Sequence, residues 1–147
     1  MRAVLQRVKS SQVKVDGKIV GKIESGWLVL LGIGNGDNRE IAEYMADRCM
    51  KLRGFVDEAG KMNRSVQDVG GAILVVSQFT LYADCIRSRR PSFDGAAPPV
   101  AAKALYETFC ETLLKQGVPT ERGVFQADMQ VSLVNDGPVT FLLERNA

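Results

Sequence analysis

Apolar and polar residues alternate from Val4 to Val15, a period of two that predicts a half-buried strand, and Asp16-Gly17 is a tight hairpin signal before Lys18-Ile19-Val20. Trp27-Leu28-Val29-Leu30-Leu31 is unbroken apolar sequence between Gly26 and Gly32, as expected of a strand covered on both faces. The period then changes. Ile41, Tyr44, Met45, Cys49 and Leu52 recur at helical spacing, with Asp37 and Glu40 placed like a capping pair at the start. Turns are expected at Asp57-Glu58-Ala59-Gly60 and Gly70-Gly71, followed by an apolar strand at Ala72-Ile73-Leu74-Val75-Val76. A second helix is predicted to start at Pro98-Pro99, to bury Val100, Ala104, Leu105, Phe109 and Leu113, and to end at Gly117 and Pro119. Short strands at 118–120 and 124–126 and a last hairpin, 129–134 with 139–144, complete the pattern. Strands at both ends of the chain with two helices between them predict an α+β fold, one domain over residues 1–147.

Composition narrows the chemistry. The hydrophobic fraction of 46% and charged fraction of 24% are those of an ordinary globular protein. Met1-Arg2-Ala3-Val4 opens no long apolar h-region and no apolar run is long enough to span a bilayer, so a cytoplasmic address with no membrane partner is expected. The three cysteines, Cys49, Cys85 and Cys110, form neither a disulfide framework nor a C-x-x-C motif, and two of them fall on predicted helix faces as core residues. There is no histidine and no D-x-D cluster, so neither a metal nor another cofactor is expected. A net charge of +2 is low for a protein that wraps long nucleic acid, yet compatible with gripping the tip of an RNA.

Two polar segments interrupt the apolar strands, and polar groups at the ends of buried strands are expensive unless paired or used. Ser77-Gln78-Phe79-Thr80 follows Val76. It reads either as a strand end whose hydroxyls bond nearby backbone, or as a pocket in which the N–H groups near Phe79 and Thr80 meet a developing oxyanion. A Ser or Thr nucleophile would need a base other than imidazole. Asn135-Asp136-Gly137-Pro138-Val139-Thr140 reads as a hairpin turn, although proline directly after the turn glycine removes a ladder donor. An X-Pro bond is also the one peptide where cis is cheap, and a cis Gly-Pro would turn two carbonyls to one side. Arg87-Ser88-Arg89-Arg90-Pro91-Ser92-Phe93 is a basic loop with one aromatic, either a solvated surface or a phosphate contact.

Singly these signals are weak; their identity and order are not. Ser77-Gln78-Phe79-Thr80, Arg90-Pro91-Ser92-Phe93 and Asn135-x-Gly137-Pro138-x-Thr140 together closely resemble the D-aminoacyl-tRNA deacylases, as do Gln6-Arg7-Val8 and the Ala127-Asp128-Met129-Gln130-Val131 approach to the last strand. The resemblance spans essentially the whole chain, with one departure: Ser88 stands where that family's pattern has glycine.

The resemblance implies a curved sheet or barrel-like core with two main helices, and a homodimer that hydrolyses the ester between a D-amino acid and the terminal adenosine of tRNA. It implies that Ser77, Gln78, Phe79 and Thr80 line the catalytic pocket. It also implies a cis Gly137-Pro138 peptide that enters the partner subunit's site, Arg7 holding that loop, and Asn135, Met129 and Thr140 in the substrate-binding set. The absent histidine then suits a mechanism of oxyanion donors with the substrate's own 2′-hydroxyl assisting water; the alternatives are Thr80 as nucleophile and a non-catalytic module that binds the tRNA 3′ end.

Overall fold

The computed structural model describes all of residues 1–147. Its sheet is organised around β1 (Arg2–Val15), which is long enough to have different partners along one edge. The first half of β1 pairs antiparallel with β3 (Gly26–Gly32), Leu5 opposite Val29, and the second half with β2 (Lys18–Ile23), Ser11 opposite Ile23. Asp16 and Gly17 both have positive φ, +49° and +76°, which is the geometry an Asp-Gly hairpin turn requires. β6 (Ala72–Ser77) lies parallel to β3, and β7 (Thr120–Arg122) parallel to β6. The sheet curls until β2 approaches β7: a Cβ on Gly21 would lie 2.5 Å from the carbonyl oxygen of Arg122. The result is a curved, nearly closed barrel-like α+β core.

Alternation along β3 and β6 splits the apolar side chains between two compartments. Trp27, Val29, Leu31, Ile73 and Val75 face the helices α1 (Arg39–Lys51) and α2 (Pro99–Lys115), where they meet Ile41, Met45, Cys49, Phe109 and Leu113. Leu28, Leu74 and Val76 face the inside of the curve with Val8, Val13 and Ile23. Both faces of β3 are therefore buried, as its unbroken apolar run predicts. The Tyr106 hydroxyl, on α2, donates to the Val75 carbonyl at 2.8 Å, which satisfies a buried polar tip and fixes the helix over β6.

Several expectations require correction. The helix cap on α1 is Asn38, whose side chain accepts from the Ile41 N–H at 3.0 Å; Asp37 instead accepts from the Met1 ammonium and the Gly34 N–H, both at 2.7 Å. Tyr44 faces outward on α1. On α2 the buried stripe is Ala102, Tyr106, Phe109, Cys110 and Leu113, which leaves Val100 and Ala104 exposed. The segment 124–126 is a turn rather than a strand, and the turn after Asp57 closes a small hairpin of β4 (Phe55–Val56) and β5 (Met62–Arg64).

The largest difference lies at the end of the chain. No last hairpin forms: residues 130–144 are one strand, β8 (Gln130–Glu144), antiparallel to β1 along both of its halves. Asn135 opposes Val8 and Thr140 opposes Gln6, so two steps of β1 are matched by five of β8. The Asp-Gly-Pro segment bulges from an edge strand instead of turning the chain back, because both flanks find the same continuous partner. Replacing Asn38 with Ala should lower the unfolding free energy by about 1 kcal/mol, read from urea denaturation, as loss of a helix cap does.

Candidate active site

β6 delivers the first polar segment to the end of the sheet. Gln78 N–H extends the parallel ladder by one bond, to the Leu31 carbonyl at 2.8 Å, and the chain then tightens into a single 3₁₀ turn, Phe79–Tyr82. That turn packs directly on the end of β3 because two positions there lack a Cβ. A Cβ on Gly32 would lie 3.0 Å from the Gln78 carbonyl oxygen, and one on Gly34 would lie 2.5 Å from the Tyr82 ring. Arg2 secures the far end of the turn: its guanidinium donates to the Leu81 carbonyl at 2.9 Å and lies over the Tyr82 ring, 4.6 Å from the centroid. No side chain caps the start of the turn.

Beside the turn opens a cavity of about 680 Å³. Leu31 and Val76 lie at the sheet side, Phe79 and Phe93 form one wall with ring centroids 5.0 Å apart, and the start of α2 forms another through Pro98, Pro99 and Ala102. Phe125, Gln126, Met129 and Val131 also line it. Met129 packs there because Gly123 has no side chain: a Cβ on Gly123 would lie 2.6 Å from the sulfur. α2 starts with proline and without a side-chain cap, so this wall carries the positive end of a helix dipole. Ser77, Gln78 and Gln126 are the only polar side chains around the cavity, and none of its lining residues is ionisable. The Cys49 and Cys110 thiols are pushed up to about 12 and about 11 by burial, which leaves them as inert core groups.

Of the residues singled out from sequence, Ser77, Gln78, Phe79 and Met129 line this cavity. Thr80 is exposed outside its lining, and its hydroxyl accepts from the Gln78 side-chain amide at 2.5 Å, orienting that amide. Arg7, Asn135, Gly137, Pro138 and Thr140 do not line it. They form a second group at the bulge of β8. Arg7 is only 9% exposed. Its Nε donates to the Asp136 carbonyl at 3.0 Å and its Nη1 to the Gly54 carbonyl at 2.9 Å, with the Asp136 carboxylate 3.6 Å away. Gly54 can present that carbonyl because it lies against the Trp27 ring, where a Cβ would come within 2.4 Å. The Asn135 amide straddles the bulge, donating to the carbonyls of Arg7 and Val139 at 2.8 and 3.0 Å. On this brace the Gly137-Pro138 peptide, which is cis, stands exposed.

Phe125 and Gln126, and the role of residues 96–99, escaped the sequence reading. Gln126 has a φ of +64°, which nothing in its sequence signals; the run of small residues Gly95-Ala96-Ala97 before two prolines was the available hint of a space left open. Fold and cavity together describe a space suited to a small, largely uncharged group.

The comparisons with known proteins specify the class. Residues 4–144 match the family described as D-Tyr-tRNA(Tyr) deacylase. A relative from Thermosipho africanus (strain TCF52B), named D-aminoacyl-tRNA deacylase, is 57% identical over 98% of this chain and 97% of its own length. Another of that name from Thermomicrobium roseum (strain ATCC 27502 / DSM 5159 / P-2) is 58% identical over 98% and 94%. Among solved structures, one titled c-Myc DNA Unwinding Element Binding Protein superposes with a TM-score of 0.94 at 42% identity, covering 100% of both chains. One titled as a probable eukaryotic D-amino acid tRNA deacylase shares the fold, with a TM-score of 0.82 at 17% identity over 97% of each. The chain belongs to the D-Tyr-tRNA(Tyr) deacylase family.

The brace on the bulge is directly testable. Arg7→Ala should destabilise the fold by about 3 kcal/mol by removing two charge-assisted bonds from a buried position, and Arg7→Lys should recover less than half, since an ammonium cannot match the guanidinium fork; denaturant midpoints read both.

Proposed function

We propose that this chain, as one domain over residues 1–147, hydrolyses the ester bond of D-aminoacyl-tRNA, releasing the D-amino acid and leaving L-aminoacyl-tRNA intact. The observation that carries the mechanism is the lining of the cavity: apolar side chains, two side-chain amides and one serine hydroxyl, with no acid or base among them. An aminoacyl ester is already activated, so the protein's share is placement and stabilisation of the oxyanion. The leading N–H groups of the 79–82 turn are the donors, and one such donor is worth about 3–4 kcal/mol in a water-excluded site. The 2′-hydroxyl of the substrate's own terminal ribose, held next to the ester by the tRNA end, relays the proton: it takes the one that leaves attacking water and passes its own to the departing 3′-oxygen. The reaction as proposed uses no metal ion, because an activated ester needs no further polarisation than the oxyanion donors supply.

Chirality is read by exclusion. The braced Gly137-Pro138 segment presents its carbonyls to the substrate ammonium and occupies the volume an L side chain would need, so the wrong isomer meets a clash as well as a lost contact. In one chain that segment and the cavity are separate, and a homodimer joins them. Support for a dimer comes from β8, whose outer edge has no strand partner and exposes Val134 and Leu142, 56% and 64% accessible. A long apolar open edge is a pairing surface. The site of action is cytoplasmic, where charged tRNA is found; neither helix is long and apolar enough to cross a membrane.

A deacylation assay with matched substrates tests the proposal. D-Tyr-tRNA should be hydrolysed and L-Tyr-tRNA spared. Gly-tRNA, which has no side chain to exclude, should also be cleaved, and EDTA should leave the rates unchanged. Thr80→Val should lower kcat by no more than about a hundredfold, through the released Gln78 amide; an acyl-Thr80 intermediate, or Gly-tRNA left untouched, would count against this reading.

A further inference from the structure

The loop between Asp84 and Ser92 has no part in the site described so far. The two residues bond reciprocally, Asp84 N–H to the Ser92 carbonyl at 2.8 Å and Ser92 N–H to the Asp84 carbonyl at 3.1 Å, so the loop is closed at its root. Its next residue, Phe93, is the cavity wall that packs on Phe79. Between the closing residues the sequence Cys85-Ile86-Arg87-Ser88-Arg89-Arg90-Pro91 carries three positive charges and no negative one, more than the +2 of the entire chain. All three arginines are exposed, and only Arg87 has a carboxylate partner, Asp84 at 3.3 Å. Ile86 is 96% exposed among them, an apolar side chain with nothing of its own chain to cover it.

The loop is also held in shape. Ser88, the departure from the family pattern, donates its hydroxyl to the Arg90 carbonyl at 2.6 Å, and the Ile86 N–H donates to the Asp84 carboxylate at 3.0 Å. Arginines carried on a fixed loop lose less freedom on binding than arginines on a free one. Exposed, largely unpaired guanidinium groups on a loop that runs directly into a wall residue of an uncharged cavity are suited to a ligand whose reacting end is neutral and whose neighbouring part is polyanionic.

We infer that Arg87, Arg89 and Arg90 form a binding site for the phosphate backbone of the RNA that follows the aminoacylated end, and that this loop, not the cavity, supplies most of the affinity for full-length tRNA. The inference rests on the deacylase reading, since it takes the cavity to hold the ester.

The triple variant R87A/R89A/R90A tests it, compared with wild type on D-Tyr-tRNA and on a short D-tyrosyl ester of a CCA trinucleotide. The preference of wild type for full tRNA, as a ratio of kcat/KM values, should fall at least tenfold in the variant. Most of that change should appear in KM, and the slope of log kcat/KM against log salt should become shallower by about 2. An unchanged ratio and slope, or an equal loss on both substrates, would overturn it. Binding of uncharged tRNA, followed by fluorescence anisotropy, reads the loop apart from catalysis. Weaker binding by the variant supports the inference even if wild type releases no amino acid, a result that would count only against the deacylase reading. Equal affinities would defeat the inference even if wild type is fully active.

Discussion

The mismatch between β1 and β8 is the constraint on which the rest of this structure depends. Between Gln6 and Val8 of β1, β8 carries three residues in excess, and they leave the sheet at Asp136, Gly137 and Pro138. A bulge of this kind would be mobile if it were merely surplus backbone. Here Arg7 reaches it from β1, the strand that creates the mismatch, and Asn135 spans it from Arg7 to Val139. One strand thus both expels the segment and holds it. Gly54, pressed on Trp27, completes the brace from beneath.

The cavity follows the same economy. Its shape comes from close approaches at Gly32 and Gly34, which let a 3₁₀ turn settle on the end of β3, and from a proline start to α2. Neither helical start carries a side-chain cap, and in the proposed reaction the main-chain dipoles of the 79–82 turn serve the ester carbonyl. Fixed dipoles of this sort need no reorganisation as charge develops. With no histidine in the chain and no ionisable side chain in the lining, the proton transfers of the proposed mechanism fall to water and the substrate's ribose.

Periodicity carried much of this architecture. The apolar run of β3, the Asp-Gly hairpin and both helices were legible because burial on one face or two leaves a direct imprint on sequence. What failed did so for local or long-range reasons. Asp37 looks like a helix cap, but a contact with the Met1 ammonium, 36 residues away, takes its carboxylate and leaves the cap to Asn38. Val100 has the spacing of a core residue, yet the hydrogen bond from Tyr106 to β6 sets the rotation of α2. Asn-Asp-Gly-Pro has every mark of a hairpin turn; only the existence of a continuous partner strand, which no short window contains, makes it a bulge. The motif residues were found by resemblance, whereas the emptiness between them, walled by Phe125 and the small residues before α2, belongs to packing and leaves little trace in any one position.

The most direct test of the central claim is the single-turnover rate on D-Tyr-tRNA whose terminal ribose lacks the 2′-hydroxyl. If the cavity offers only donors and placement, the rate should fall by a factor on the order of 10² or more, the usual contribution of an assisting acid–base group. Hydrolysis of the deoxy substrate at the full rate would mean that a protein side chain moves the proton, and would contradict the account.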